Sequence, residues 1–311
     1  MADAPLNPFE TEFPTTQYTT MLELMLQQKE SKLRQRTASG THVGKMASPI
    51  QQAGVLTYQA PAGRYSNINF QLETFTRRWV FPTDRDLAVP IDSFDELKTI
   101  VNPQAAINQA TMAAANRFAD DLMIAAALAS ASVGVDASSL STETFNSGAI
   151  IADTFGASAS TGMTYPKLVE AFRLMRFHQV DLDAERPCVI IGSQQESDLK
   201  KQQEVISKEY NERPVIESGR VTSLAGFDIL VSERLSTSSS STLRNTFAFV
   251  GSGLYLGIWK DMTVDIDNRK DLSSHPWQLY SMISMGATRT QQWKIIQINC
   301  ADTNGADPTA P

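Results

Sequence analysis

Residues 103–130 read PQAAINQATMAAANRFADDLMIAAALAS, with no glycine and, after the opening residue, no proline. Alanine and straight-chain residues dominate, and these lose least on entering a helix. Asn102 can cap the start, with Pro103 at the first helical position, where its missing N–H costs nothing. A helix of this length is a rod of roughly 40 Å. Ile107, Thr111, Ala114, Phe118, Leu122 and Ala125 recur at helical spacing and define the predicted buried stripe. Its small side chains would let a packing partner approach closely. Ser93 with Glu96 three residues later is a capping box, which predicts a shorter helix running up to Pro103.

Upstream of the rod, Ile68, Phe70 and Leu72 alternate with Asn67, Asn69, Gln71 and Glu73, the period of a half-exposed strand. The apolar phase then shifts to Phe75, Trp79 and Phe81, which predicts a bulge or twist. Val55–Gln59, followed by Ala60-Pro-Ala-Gly63, can supply the second strand of a long hairpin. Two polar strands alone are marginal in water, so this hairpin has to rest on something else, and a neighbouring chain is the natural support. Before it, Gly40, Gly44, Pro49 and Gly54 predict a loop over 37–54. Tyr18, Met21, Leu22, Met25, Leu26 and Leu33 mark one face of a helix over 18–36 with a basic end, and residues 1–16 read as extended.

Downstream, residues 130–163 are rich in Ser, Ala and Gly, with a short strand near Ala149–Ile151. A helix follows over 165–180, with Leu168, Phe172, Leu174 and Met175 as buried candidates, and then a central strand at Cys188–Ile191 (CVII). A helix over 193–205 comes next, followed by strands at 227–231, 246–250, 254–259, 263–266, 282–289 and 293–299. The order is α+β without a regular βαβ repeat.

Composition is that of an ordinary folded protein, 42% hydrophobic and 20% charged over 311 residues. No stretch reaches the ~20 apolar residues of a membrane span, and the first residues lack a signal-peptide layout. A net charge of −7 disfavours general attraction to nucleic acid. Cys188 and Cys300 are far apart, which argues against a disulfide framework.

Residue patterns that carry chemistry are missing. His42, His178 and His275 have no metal-ligand spacing. Gly40–Met46 has one residue too few between its glycines for a phosphate loop, and Met46 stands where a hydroxyl should bind magnesium. Gly251-Ser-Gly253 with Gly257 lies between strands, which fits a tight turn and not a dinucleotide fingerprint. Asp265–Asp271 begins like a calcium loop but carries Arg269 at a ligand position and Lys270 where glycine is required. No nucleophile elbow occurs. Asp120 and Asp121 point about 100° apart on a helix, so they cannot converge on one substrate. One of them is expected in solvent and the other on a basic partner. No catalytic residue, cofactor or metal is therefore expected.

Two regions carry a resemblance instead. Residues 26–54, LQQKESKLRQRTASGTHVGKMASPIQQAG, hold the run Gln27-Gln28-Lys29-x-Ser31-Lys32-Leu33-Arg34, with a glycine after a polar loop. Residues 77–128 hold Arg77-Arg78-Trp79, Asp84, Ile91-Asp92, Asp95, Asn102-Pro103, Arg117 and Asp121. Together with Gly286-Ala287-Thr288-Arg289 before the last strand, in this order and spacing, they resemble the major capsid proteins of tailed bacteriophages, of the Hong Kong ninety-seven type. The resemblance covers about half the chain.

It implies an α+β capsid fold: an N-terminal arm (1–54), an extended β-hairpin loop (55–92), a peripheral domain (93–180 with 265–311) holding a spine helix over 103–130, and an axial domain (181–264). It also implies self-assembly through pentamers and hexamers into an icosahedral shell around a double-stranded DNA genome, built in the bacterial cytoplasm. The implied partners are copies of the chain, a separate scaffolding protein, a portal protein and a decoration protein, with no membrane and no sequence-specific nucleic-acid contact. The roughly 50 residues before the hairpin are too few for a fused scaffolding domain. Tyr65, Ile68, Phe70, Leu72, Arg77, Arg78, Trp79, Leu26 and Leu33 are the expected inter-subunit contacts. Some relatives weld the shell through a lysine in the extended loop. Here no lysine lies between Lys45 and Lys98, so a shell without covalent cross-links is expected. A decoration or tail component is the alternative within virion proteins, and an enzyme with a scattered site is the alternative outside them.

Overall fold

The computed structural model describes residues 27–60, 63–65, 67–68, 70–91, 104–202, 221–237, 242–271 and 275–302. The expected helix over 93–102, its capping box and Leu26 lie outside them. Fourteen strands are described: β1 (Ala38–Thr41), β2 (Ala47–Ala53), β3 (Phe75–Val80), β4 (Thr83–Ile91), β5 (Ala131–Gly134), β6 (Ser141–Glu143), β7 (Ile150–Ile151), β8 (Cys188–Ile191), β9 (Ser223–Leu224), β10 (Phe227–Val231), β11 (Leu243–Phe249), β12 (Leu254–Asn268), β13 (Trp277–Arg289) and β14 (Ile295–Ala301). Three α-helices join them: α1 (Gln104–Leu128), α2 (Tyr165–Phe177) and α3 (Ser193–Lys201).

The strands form three sheets. The largest has the order β7-β14-β11-β8-β10-β9 and alternates its side chains between two cores. Val189 and Ile191 of β8, Ala248 of β11, and Ile296, Ile298 and Cys300 of β14 face α2, where Leu168, Ala171 and Met175 are fully buried. Cys188, Ile190, Phe247, Phe249 and Ile295 face the other way. There they meet Ala119, Met123, Ile124 and Ala127 of α1, Leu254 and Leu256 of β12, and Met285 of β13. A sheet covered on both faces reads as an unbroken apolar run, which is why CVII is legible as a central strand.

The second sheet, β1-β12-β13-β4, is a long ribbon on which α1 lies. The small residues of α1 let the rod sit close to it. Gly286 of β13 has an equivalent role, since a Cβ there would meet the Phe81 carbonyl oxygen at 2.1 Å. The third sheet is β2-β3-β5-β6.

Several expectations change. The stretch 37–54, expected as a loop, contains β1 and β2. β1 (ASGT) has little strand propensity of its own and is held by parallel pairing to β12, where Gly40 leaves room for the Tyr255 ring. β2 accommodates Pro49 because it is an edge strand and the register shifts between Ala47 and Ile50. The hairpin base is consequently β2 with β3, not 55–59 with 68–72, and no strand occurs among the described residues from 54 to 74. The two strands expected at 254–259 and 263–266 are one strand, bent by register shifts between Ile258 and Thr263. That strand carries the chain without a break through 264/265. β14 pairs in the same sheet as β8, β10 and β11.

The buried face of α1 is rotated from the expected stripe. Thr111 is buried, but Ala125 is exposed, and Ala119, Asp120, Met123 and Ala127 are fully covered. An alanine-rich helix has too little contrast around its circumference to fix the azimuth. A buried carboxylate in the middle of the face reverses the sign of what contrast there is.

Candidate assembly surfaces

That carboxylate organises the arm. Asp120 Oδ2 accepts hydrogen bonds from Gln28 Nε2 (2.5 Å) and the Lys32 amide (2.9 Å), and Oδ1 accepts from Ser31 Oγ (2.5 Å) and the Leu33 amide (3.3 Å). An ionised carboxylate is acceptor-only with about four lone-pair sites, and all are used here. Neighbouring turns of α1 reinforce the clasp. Asn116 Nδ2 donates to the Lys29 carbonyl (2.9 Å), and Arg117 Nη1 donates to Gln27 Oε1 (2.6 Å) and the Gln28 carbonyl (3.2 Å).

Beyond the clasp, Leu33 enters the core under α1, and Thr37 Oγ1 bonds the Leu33 carbonyl (3.2 Å). Arg34 pairs with Asp261 on β12 (2.5 Å), and Arg36 with Asp228 on β10 (2.8 Å). Burial would raise the Asp261 carboxyl, but the Arg34 hydrogen bond, the Met262 amide and the Arg34 charge together outweigh it and hold the group below its ordinary range. Residues 27–37 are thus stitched to three elements, the opposite of a free tail. Asp121, one position on, pairs with Arg234, as expected for one member of the acidic pair. The other member is buried on backbone amides, where solvent was expected.

From Gly54 to Thr74 the chain leaves this framework. The Gly54 amide donates to the Thr74 carbonyl (2.7 Å), and the Thr57 amide to Gln71 Oε1 (3.2 Å). The described apolar side chains beyond them stand in solvent: Tyr58 and Tyr65 fully, Phe70 88% and Leu72 90% exposed, with Val55, Leu56 and Ile68 also exposed.

The expected contact residues therefore divide. Tyr65, Ile68, Phe70 and Leu72 share this exposed loop. Leu33, expected at an inter-subunit contact, is instead 1% exposed inside the protomer, because the clasp on Asp120 turns the arm inward at that point. Arg78, also expected there, is 7% exposed and paired to Glu143 of β6. Burial alone would raise Glu143, but hydrogen bonds from Arg78 and Gln292 outweigh it and keep the carboxyl below its usual range. Trp79, half-buried, donates from Nε1 to the Gly134 carbonyl (3.0 Å). Arg77 is half-buried beside it, on the strand that supports the loop.

Arg289, from the Gly-Ala-Thr-Arg motif, caps α1. Its Nη1 donates to the carbonyls of Ala127 (3.1 Å) and Ala129 (2.7 Å), groups that a helix C-terminus leaves without partners. Its guanidinium lies over the Phe145 ring, and burial pulls its pKa down to about 10.

The residues weighed for chemistry stay apart. His42 bonds Tyr255 (2.8 Å), whereas His178 ends α2 stacked on Trp293 with centroids 3.3 Å apart. Gly40 lies in β1, Gly251–Gly253 forms a 3-10 turn, and Arg269 bonds Asp271 across a charged turn. Both cysteines are free and buried. Among the described residues no three His, Cys, Asp or Glu side chains are grouped to hold a metal ion, and no helix is long and apolar enough to cross a membrane.

A family model described as "Phage capsid protein" matches residues 10–302. No curated protein matches the chain. Among solved structures, the capsid of the cyanophage P-SCSP1u has a TM-score of 0.70 at 14% identity, covering 94% of each chain. The capsid of Ralstonia phage GP4 scores 0.68 at 11% identity over 97% of this chain and 99% of that one. The native particle capsid of a GTA scores 0.63 at 12% identity, covering 96% and 100%. At these identities the likeness is one of fold: an α+β chain laid out over its whole length like capsid subunits.

Proposed function

The chain belongs to the phage capsid protein family, and from that premise we propose that it is the major, repeated subunit of an icosahedral shell, held to its neighbours through the exposed loop of residues 54–74. As a capsid protein it is a component of the virion, and its shell is a homo-oligomer. The observation that carries the loop's role is its run of seven exposed apolar side chains among the described residues, Val55, Leu56, Tyr58, Tyr65, Ile68, Phe70 and Leu72. Each apolar side chain that a neighbour covers contributes about 1.5–3 kcal/mol. Spread over many copies, modest contacts of this kind sum to a stable shell.

In this reading α1 is the spine of the subunit, and copies associate in fives and sixes around double-stranded DNA in the host cytoplasm. The division into a peripheral part (93–180 with 265–311) and an axial part (181–264) is one of role, since β12 and β14 tie the two together in shared sheets. A separate scaffolding protein, a portal and a decoration protein complete the set of proposed partners. The work proposed for the chain is assembly, without catalysis, cofactor or sequence-specific DNA contact.

Sedimentation of the protein expressed with a scaffolding partner tests the loop's part. Phe70→Ser with Leu72→Ser is expected to leave the protomer's melting unchanged and to shift the protein from fast-sedimenting particles to free subunits. Normal particle yield from this double variant would remove the loop from the account.

A further inference from the structure

Two unlike charged surfaces of the protomer have no ion-pair partner among the described residues. The first lies where the arm crosses α1, around a concavity of about 930 Å³. Lys29 and Lys32 stand exposed on its rim with Arg117 beside them. Among the described residues Arg117 bonds the neutral oxygens of Gln27 and Gln28, and neither lysine has an ion pair. Of the other charges lining it, Arg234 is taken by Asp121 and Glu233 by Arg244, leaving Glu30 as the one lining acid without an ion pair among the described residues. The surplus is positive, on a chain whose net charge is −7.

The second surface is the outward face of the β12-β13-β4 ribbon. Residues directly opposite in antiparallel strands share a face. The register sets Asp265 opposite Tyr280 and Ala88, Asp267 opposite Gln278, Asp86 opposite Met282, and Asp84 opposite Ser284. All four aspartates are therefore on one face and exposed. Ser284 Oγ bonds Asp84 (2.5 Å), and Asp267 accepts from the next backbone amide, but none of the four has an ion pair among the described residues. Lys260, at one end, directs its Nζ to Met282 Sδ (2.8 Å). The opposite face of the ribbon packs on α1, and this one is exposed among the described residues.

We propose that these surfaces meet between copies: the lysine rim of one protomer takes the aspartate face of the next. The inference rests on the shell reading and names one of its contacts. Because the patches differ and lie on different elements, the contact is heterologous, the kind that closes rings and lattices. Charge complementarity at such a rim sets register and partner more than raw affinity. The Arg34–Asp261 pair is the same chemistry already realised inside one chain, from the arm to β12.

Charge reversal tests it in the full chain. Lys29→Glu with Lys32→Glu leaves the clasp intact, because Asp120 uses the Lys32 amide and not its side chain. Asp86→Lys with Asp265→Lys alters exposed positions without ion pairs. Each double variant is expected to melt like wild type and to lose at least about tenfold in particle yield, since like charges are then juxtaposed. The fourfold variant, with both surfaces reversed, is expected to regain particles. Wild-type yield from either double variant, or no recovery in the fourfold variant, would overturn the contact while leaving the shell reading standing. A wild-type chain that forms no particles even with a scaffolding partner supplied would overturn both.

Discussion

Asp120 is the residue on which most of the arm's order depends. It is fully buried, and every donor it meets comes from residues 28–33. Replacing it by Asn puts an NH2 group where donors converge, and Ala leaves the Lys32 amide and the buried Leu33 amide unpaired. Asp120→Asn and Asp120→Ala are expected to cost about 2 and about 3 kcal/mol of unfolding free energy, measured by urea denaturation, and to speed tryptic cleavage after Arg34 and Arg36. Asp121→Ala, which removes only the half-exposed pair to Arg234, should cost under about 1 kcal/mol. Equal losses at the two positions would show that the clasp does not hold the arm. The sequence hid it: Asp120 lies about 200° around the helix from Phe118, opposite the predicted stripe, among the alanines and Met123 that the fold covers. A buried carboxylate is rare without partners, and those partners lie nearly ninety residues upstream.

At the scale of elements, the rod, CVII, α2 and the strand-rich C-terminal third were legible because local propensity and packing agree there. What was not legible depends on pairing at a distance. β1 is a strand only because β12 offers an edge, and β2 only because β3 does, so a Gly- and Pro-bearing stretch read as loop. The alternation of Ile68, Phe70 and Leu72 has the strand period, but within one protomer nothing pairs with it among the described residues. Of the nine expected contact residues, the four loop side chains remain open to a neighbour, while Leu33 and Arg78 are covered by their own chain. Exposure is a property of the whole fold, and periodicity cannot report it. The junction of ribbon and third sheet gives a sharp test. Gly286→Ala sets a Cβ against the Phe81 carbonyl at the β3–β4 turn, and a cost of about 3 kcal/mol is expected from thermal or urea unfolding. A neutral effect would mean that β13 and this turn are not in close contact.

For the whole molecule, the protomer combines a well-packed double core with surfaces left uncovered or unpaired among the described residues: an apolar loop, a lysine rim and an aspartate face. The absence of lysine from 46 to 97 leaves the loop without the nucleophile for an isopeptide weld. Boiled, denatured particles are accordingly expected to run as one monomer band on a gel, and a covalent ladder would contradict this. The most direct test of the central claim is electron microscopy of particles formed by the expressed chain, with a scaffolding partner supplied. Closed icosahedral shells of fivefold and sixfold clusters are expected, with residues 54–74 lying on an adjacent subunit. Subunits that stay monomeric in every preparation, or shells in which that loop folds back on its own protomer, would contradict it.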